Sequence, residues 1–260
     1  MEELIFDHQE EEEEGEDDRI ETLSDFIRFI ENLPTGFVLS RGQAGDYPLL
    51  PGALRVNKGV RKFSKSDILY FQEEFQTNSH NYMSNSLDSM KKTEWMIYAQ
   101  HYGIPTKLLD FTYSHIISLM FAVENAFEDK EDLDAQVWFL NPEKLNLHSC
   151  KSSKIINISE SDDNIEDYAG PVVIKSRKLN ERINSQNGLF VYFQEGAEPL
   201  EEYAEEKMLR KVIINGAYKK KILSSLYDIG ITFTSLYPEL PYLCKDIIMR
   251  SNLKNEPREE

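Results

Sequence analysis

Residues 100–126 read Gln100-His-Tyr-Gly-Ile-Pro-Thr-Lys-Leu-Leu-Asp-Phe-Thr-Tyr-Ser-His-Ile-Ile-Ser-Leu-Met-Phe-Ala-Val-Glu-Asn-Ala126. Gly103 favours a positive φ that ends the preceding helix, and Pro105 restricts Ile104 to an extended conformation. Residues 113–126 are too apolar for a helix that faces water. A buried helix that begins at a rigid polar turn fixes functional groups against the core, so we expect the chain to be organised around this stretch.

Patterning on both sides of this stretch predicts helices and short strands in irregular alternation. Thr22 and Asp25 form the signature of a capped first helix. Residues 37–39 read as a short strand, and Arg41 and Gly42 follow at its end. Further helices are expected over 66–79, 86–99 and 215–227, and a last helix is expected to end near Arg250. Further strands are expected over 135–140, 171–174, 189–193 and 209–214. Because there is no regular β-α-β order, the pattern predicts an α+β fold with a mixed central sheet flanked by helices.

Charge divides the chain into three parts. Residues 1–18 hold eight Glu and three Asp without a Lys or Arg, and so account for 11 of the 17 net negative charges. Such a segment has too little apolar area to offset the cost of ordering, so 1–18 is predicted to be a disordered acidic tail, 19–250 one folded domain and 251–260 a flexible tail. The acidic tail is a solubilising segment, a nucleic-acid mimic or a clamp on a basic protein partner, and these interpretations stay open.

Several classes of protein and site are disfavoured. The chain has no basic stripe of the kind that binds duplex nucleic acid, and no apolar run of the ~20 residues that a membrane helix needs. Cys150 and Cys244 are far apart in a pattern typical of a reduced cytoplasmic protein. The histidines have no neighbouring ligands at metal-binding intervals, so no metal site is predicted.

The segment from Gln100 to Thr112 resembles the central motif of the FRG domain family, whose usual form has Arg and Trp where this chain has Lys107 and Phe111. The family's aromatic-Arg-Gly motif is matched by Ser40-Arg41-Gly42-Gln43, with serine in place of the aromatic residue. The resemblance also takes in residues 47–55 and a later element that includes Arg182, Gln186, Gly188 and Phe190, so that it runs from about Thr22 to about Arg250.

The arrangement of an early Arg-Gly, a polar middle element and a late strand entrance is similar to that of ADP-ribosyltransferases. This analogy implies an ADP-ribosyltransferase-like fold with NAD as the cofactor. The residues to which it gives catalytic roles are Arg41, His101, Asp110 and Gln186. Those expected to bind the cofactor are Arg41, Gly42, Gln43, Gln100, Tyr102, Gly103, Thr106 and Phe190.

Each of the proposed catalytic residues also has a structural interpretation. Arg41 offers a planar fork to a phosphate, or it holds a neighbouring loop or pairs with Asp110. His101 caps the end of a helix, Asp110 is the N-cap of the helix that follows, and Gln186 is a turn residue. Neither set of interpretations is excluded at the level of sequence.

Two functions follow from the resemblance. The first is an NAD-binding protein that transfers ADP-ribose or otherwise consumes NAD in a bacterial or phage conflict system, as a toxin or in antiviral defence. The alternative is a catalytically inactive interaction module of such a system, which uses the same pocket or the acidic tail to bind its partner.

Overall fold

The computed structural model describes residues 19–82, 90–128, 132–177 and 188–255. Several parts of the sequence analysis fall outside these ranges. They are the acidic tail over 1–18, the start of the helix expected over 86–99, Arg182, the candidate residue Gln186 and residues 256–260.

One mixed sheet of eight strands forms the centre of the described structure, in the order β1-β10-β6-β2-β5-β9-β8-β7. Neighbouring strands are antiparallel except for β1 with β10 and β7 with β8, which are parallel. Two further strands, β3 and β4, form a separate hairpin. The strands are β1 Arg19–Ile20, β2 Leu39–Gln43, β3 Val56–Asn57, β4 Val60–Arg61, β5 Leu108–Thr112, β6 Ala135–Leu140, β7 Ile156–Asn157, β8 Val172–Lys175, β9 Gly188–Tyr192 and β10 Leu209–Ile214.

Nine helices in the described ranges cover the sheet. They are α1 Leu23–Glu31, α2 Lys65–Ser79, α3 Lys92–His101, α4 His115–Val123, α5 Pro142–Cys150, α6 Leu200–Tyr203, α7 Lys219–Asp228, α8 Phe233–Leu236 and α9 Leu240–Asn255. The expected capping box is present at the start of α1, where Thr22 and Asp25 bond each other's backbone N–H groups. None of these helices is long and apolar enough to cross a bilayer.

Helix α4 lies directly against β2. A Cβ atom at Gly42 would stand 1.8 Å from the carbonyl oxygen of Ser118 and 2.8 Å from the amide nitrogen of Ala122, so only glycine allows this approach. The apolar side chains of α4 then fill one core with residues from β6 and α7, including Leu119, Met120 and Val123. The sequence analysis assigned Gly42 to the cofactor, and the structure shows in addition that the packing of α4 requires a glycine there.

The expected mixed architecture with a single main sheet is confirmed, but several boundaries were wrong. Residues 108–112 form a central strand instead of a turn, and α4 begins at His115 with Ser114 as its N-cap, so Asp110 is not a helix cap. Arg41 lies in the middle of β2, not beyond its end. Helix α9 continues to Asn255, so part of the expected flexible tail is helical. The errors at β2 and β5 have one cause, which is that strand pairing with distant segments overrides local turn signals.

Candidate functional site

A cavity opens where two neighbouring strands of the sheet separate. Strand β2 pairs with β6 over five residue pairs, and β5 pairs with β9 over five. Between β2 and β5, both of which are fully described, Ser40 and Thr112 form the only pair. Beyond that pair the strands diverge, and a cavity of about 370 Å³ lies in the gap. This volume is within the range of small-molecule sites, which is ~300–1,000 Å³.

Most of the residues that the sequence analysis assigned to a site meet at this cavity. The lining includes Arg41, Gly42, Gln43, Gln100, His101, Asp110 and Phe190. They come from three segments far apart in the chain, on β2, at the end of α3 and β5, and on β9. The tertiary structure therefore joins the segments that carry the motifs.

Arg41 is the central cation of the cavity wall. Its side chain is 20% exposed, and one terminal nitrogen, Nη1, donates to the backbone oxygen of Asp110 at 2.9 Å and lies 4.0 Å from that residue's carboxylate. Its Nε–H is buried and has no hydrogen-bond partner among the described residues. A buried donor without a partner costs free energy, so Arg41 has an unused donor that a ligand can satisfy.

A second guanidinium, that of Arg55, lines the same cavity. Its Nε donates to the backbone oxygen of Leu50 at 3.2 Å. Burial is the main cause that lowers the pKa of Arg41, and the charge of Asp110 opposes this shift while that of Arg55 adds to it. Two cations that disfavour each other's charge in a partly buried space are stabilised by an anion that contacts both.

Gln43 contributes an acceptor to the cavity. Its side chain is 5% exposed, and its carbonyl oxygen Oε1 is buried without a partner in the described part of the chain. Such an oxygen accepts a hydrogen bond from a hydroxyl or an amide N–H of a ligand. The wall thus combines unpaired donor and acceptor groups, as expected of a site for a polar ligand.

A chain of hydrogen bonds fixes the carboxylate of Asp110. The hydroxyl of Thr106 donates to the side-chain oxygen of Gln100, so the amide nitrogen of Gln100 points to Asp110 and donates to both carboxylate oxygens at 2.9 Å. Thr106 is 2% exposed and does not line the cavity. The hydroxyl of Thr106 therefore orients Gln100, which in turn holds Asp110.

Two other residues assigned to the cofactor lie away from the cavity. Gly103 ends α3 with a φ of +91° and has open space around it. Tyr102 is 59% exposed and lines a separate groove with Phe75 and Tyr98. Their side of the turn faces outward, so Tyr102 and Gly103 do not line this cavity. Gln186 lies outside the described residues.

The sequence analysis missed several residues of the cavity wall. Glu124, at the end of α4, adds a second carboxylate and accepts a hydrogen bond from the hydroxyl of Tyr237 at 3.3 Å. Arg55 and Tyr47 come from the loop that follows β2. A glutamate that ends an otherwise apolar helix is a signal in the sequence, but its position at the cavity follows only from the packing of α4 on β2.

Ser40 belongs to a buried hydrogen-bonded cluster at the wall of the cavity. Its hydroxyl lies 2.7 Å from that of Ser118 and 2.8 Å from Nδ1 of His115. Burial lowers the pKa of His115 below its ordinary value of 6.5, and a hydrogen bond with the backbone of Phe37 partly opposes the shift. The neutral imidazole therefore links α4 to β2 near the point where the strands separate.

This lowered pKa predicts a loss of stability in mild acid. His115 takes up a proton near pH 6.5 in the unfolded chain and only at a lower pH in the folded chain. Its contribution to the free energy of unfolding is therefore complete above pH 6.5 and is lost as the pH falls below that value. We expect the urea midpoint to fall between about pH 6.5 and pH 5, and the fall to be smaller in His115→Gln. The carboxylates with lowered pKa values titrate near pH 4 and below, so they do not account for a change above pH 5. A fall of the urea midpoint in His115→Gln equal to that of the natural protein would contradict the assignment of the change to His115.

The comparison with protein families adds an identification to this geometry. A family model described as the FRG domain matches residues 37–131. This segment is similar to FRG domains. No curated protein and no solved structure matches the chain. The FRG domain match covers β2, the turn after α3, β5 and α4, which together form most of the cavity wall, but it ends before Gly188 and Phe190 on β9.

The departures from the usual FRG motif have structural explanations. Lys107 forms an ion pair with Glu166 at 2.6 Å, lies over the ring of Tyr192 and does not line the cavity. Phe111 is 2% exposed and packs in the core on one face of the sheet. Ser40 is fully buried in the cluster with His115. Ser40 and Phe111 also line the cavity beside Arg41 and Asp110, so two of the three departures lie in its wall.

Proposed function

We propose that the cavity binds NAD or a closely related nucleotide and that the protein consumes NAD by transfer of its ADP-ribose. The observation that carries this proposal is Arg41, whose buried Nε–H has no partner in the described structure and which shares the cavity with Arg55. A pyrophosphate offers oxygens to both guanidinium groups and neutralises their repulsion. Arg41 and Arg55 are thus the groups that bind the phosphates.

The remaining groups of the wall suit the rest of a nucleotide. The unpaired oxygen of Gln43 accepts from a ribose hydroxyl or from the carboxamide of nicotinamide. The ring of Phe190 provides an apolar surface for a planar ring. Few polar groups converge on a partly apolar cavity, as is usual for cofactor sites.

The proposed chemistry is cleavage of the bond between C1′ of the ribose and the nicotinamide nitrogen. The bonding electrons leave with nicotinamide, and positive charge develops at the ribose ring. Asp110, held by Gln100, is the carboxylate placed to stabilise this charge, and Glu124 is a second one in the same wall. Water or a side chain of a target protein then forms the new bond to C1′, and its proton passes to a carboxylate.

The family resemblance implies a bacterial or phage conflict system as the setting of this activity. Removal of NAD is a chemistry that suits a toxin or a defence protein, because it affects the metabolism of the whole cell. The site proposed here is the same whether the acceptor of the ADP-ribose is water or a protein.

Titration calorimetry with NAD and measurement of nicotinamide release test the proposal. We expect Arg41→Lys to weaken NAD binding about 10- to 100-fold, because it removes the planar fork while it keeps the charge. Asp110→Asn is expected to keep the binding but to slow nicotinamide release about 100-fold. Arg28→Ala is the matched control, since that arginine is 72% exposed on α1 and lies outside the cavity lining.

Failure of the folded natural protein to bind NAD, or Arg41→Lys binding as tightly as the natural protein, would refute the nucleotide site. Binding without release of nicotinamide would refute the transfer activity alone. Melting curves of each variant separate these outcomes from misfolding.

A second candidate function, recognition of a protein partner without catalysis, is favoured by the groove at Tyr102. This groove has a volume of about 400 Å³ and is lined by aromatic side chains, among which Tyr82 is 90% exposed. Exposed tyrosines are enriched at protein interfaces. If this is the function, Asp110→Asn leaves partner binding intact, so the same variant separates the two candidates.

A further inference from the structure

A second cavity adjoins the first. It has a volume of about 420 Å³ and shares Tyr47 and Arg55 with the lining of the first cavity. The two spaces are therefore neighbours across these two side chains. A ligand that extends past Arg55 enters the second cavity.

Besides Tyr47 and Arg55, the second cavity is lined by a further polar residue, Arg61, at the end of the β3–β4 hairpin. One terminal nitrogen, Nη1, pairs with Glu195. Its Nε and Nη2 are buried and have no hydrogen-bond partner among the described residues. Arg61 thus has unused donors of the same kind as Arg41, and the cost of burying them is recovered when a ligand supplies acceptors.

The rest of the second cavity is largely apolar. Its walls come from the loop after β2, from the hairpin and from the loop after β9, and they include Pro48, Leu50, Leu54, Ala197 and Pro199. The ring of Tyr47 lies over Gly45, where a Cβ would stand 3.2 Å from it, and is 55% exposed. Apolar walls with donors in one place suit a flat apolar group that carries acceptors along its edge.

A purine base has these properties. Its faces are apolar and stack on aromatic rings, and its ring nitrogens accept hydrogen bonds from guanidinium groups. We infer that the second cavity holds the adenosine half of the ligand, with the base between the apolar walls and Arg61 at its edge. Arg55, which lines both cavities, then contacts the phosphate group that joins the two halves. This inference rests on the proposed function, because it assigns the second half of the same dinucleotide.

Binding of NAD and of AMP by the full chain tests the inference, with two variants that change the second cavity in different ways. Arg61→Leu removes the donors, and Ala197→Phe fills the space from the opposite loop. We expect each to weaken the binding of both NAD and AMP about tenfold or more, which corresponds to the loss of one charge-assisted hydrogen bond or of the contact area of a base. Arg28→Ala again serves as the control and is expected to bind both as the natural protein does.

The outcomes separate this inference from the proposed function. If both variants bind NAD as the natural protein does, the adenosine assignment is overturned and the nucleotide site at Arg41 stands. If the natural protein binds AMP with the expected sensitivity to both variants but does not bind NAD, the inference stands and the proposed function fails. A folded natural protein that binds neither ligand overturns both.

Discussion

Gly42→Ala is expected to lower the free energy of unfolding by about 3 kcal/mol or more, the upper end of what overpacking costs. The added Cβ would stand 1.8 Å from the carbonyl oxygen of Ser118, which is a backbone atom of α4 and cannot rotate away. Either α4 must move off the sheet or β2 must bend, and both changes disrupt the core that the helix fills. Urea unfolding of the purified variant measures the loss.

The matched control is Gly52→Ala. Gly52 has a negative φ or an extended backbone, and a Cβ there would meet no atom within 4 Å, so we expect a change of no more than about 0.5 kcal/mol. Equal stability of the two variants would show that α4 does not lie against β2 as described. Gly42→Ala is also expected to weaken nucleotide binding, because the same displacement changes the cavity wall.

Asp246→Ala is the second substitution with a large expected effect, again about 3 kcal/mol. The carboxylate of Asp246 is 3% exposed and joins α9 to α7 and α8. It accepts from the hydroxyl of Tyr227 at 2.5 Å, from the backbone N–H of Phe233 at 2.9 Å and from the N–H and hydroxyl of Thr234 at 3.0 and 2.6 Å. Truncation leaves these donors buried without an acceptor.

The acidity of Asp246 supplies an independent check. Burial raises its pKa, but the hydrogen bonds from Thr234, Tyr227 and Phe233 outweigh burial, so the pKa falls below its ordinary value of 3.8. The contribution of Asp246 to the free energy of unfolding is therefore complete above pH 3.8 and is lost as the pH falls below it towards the lowered pKa. The difference in free energy of unfolding between the natural protein and Asp246→Ala should narrow below about pH 4. Asp162→Ala is the control, since that side chain is 96% exposed. A small effect of Asp246→Ala at pH 7 would contradict the network.

Much of the candidate site was predictable because its residues are concentrated in two short motifs. Arg41 with its neighbours and the stretch from Gln100 to Asp110 were singled out by residue type and by resemblance to the FRG family. The hydrogen bond from Thr106 to Gln100 was not predictable, since it depends on how the turn folds between these two residues. A motif shows which residues belong together, but not which of them face the cavity.

Glu124 and Arg61 lie outside the motif pattern, whereas Arg55 belongs to residues 47–55 of the family resemblance but was given no role in the site. Glu124 ends a helix whose other side chains are buried, and Arg55 and Arg61 lie in a loop and a hairpin that have no periodicity. Glu124 reaches the cavity through the packing of α4 on β2, and Arg55 reaches it through the loop after β2, which folds back over the gap between β2 and β5. Local sequence carries no signal for such a contact between segments about 50 residues apart.

The sequence by itself determined the local structure of this protein. Gly103 and Pro105 end one helix, Thr22 caps another, and the apolar character of residues 115–123 requires α4 to be buried. The tertiary structure alone decided that residues 108–112 form a central strand and that β2 and β5 separate after a single pair. The physical reason is that backbone geometry and capping act over a few residues, whereas strand register is set by the packing of side chains on distant elements.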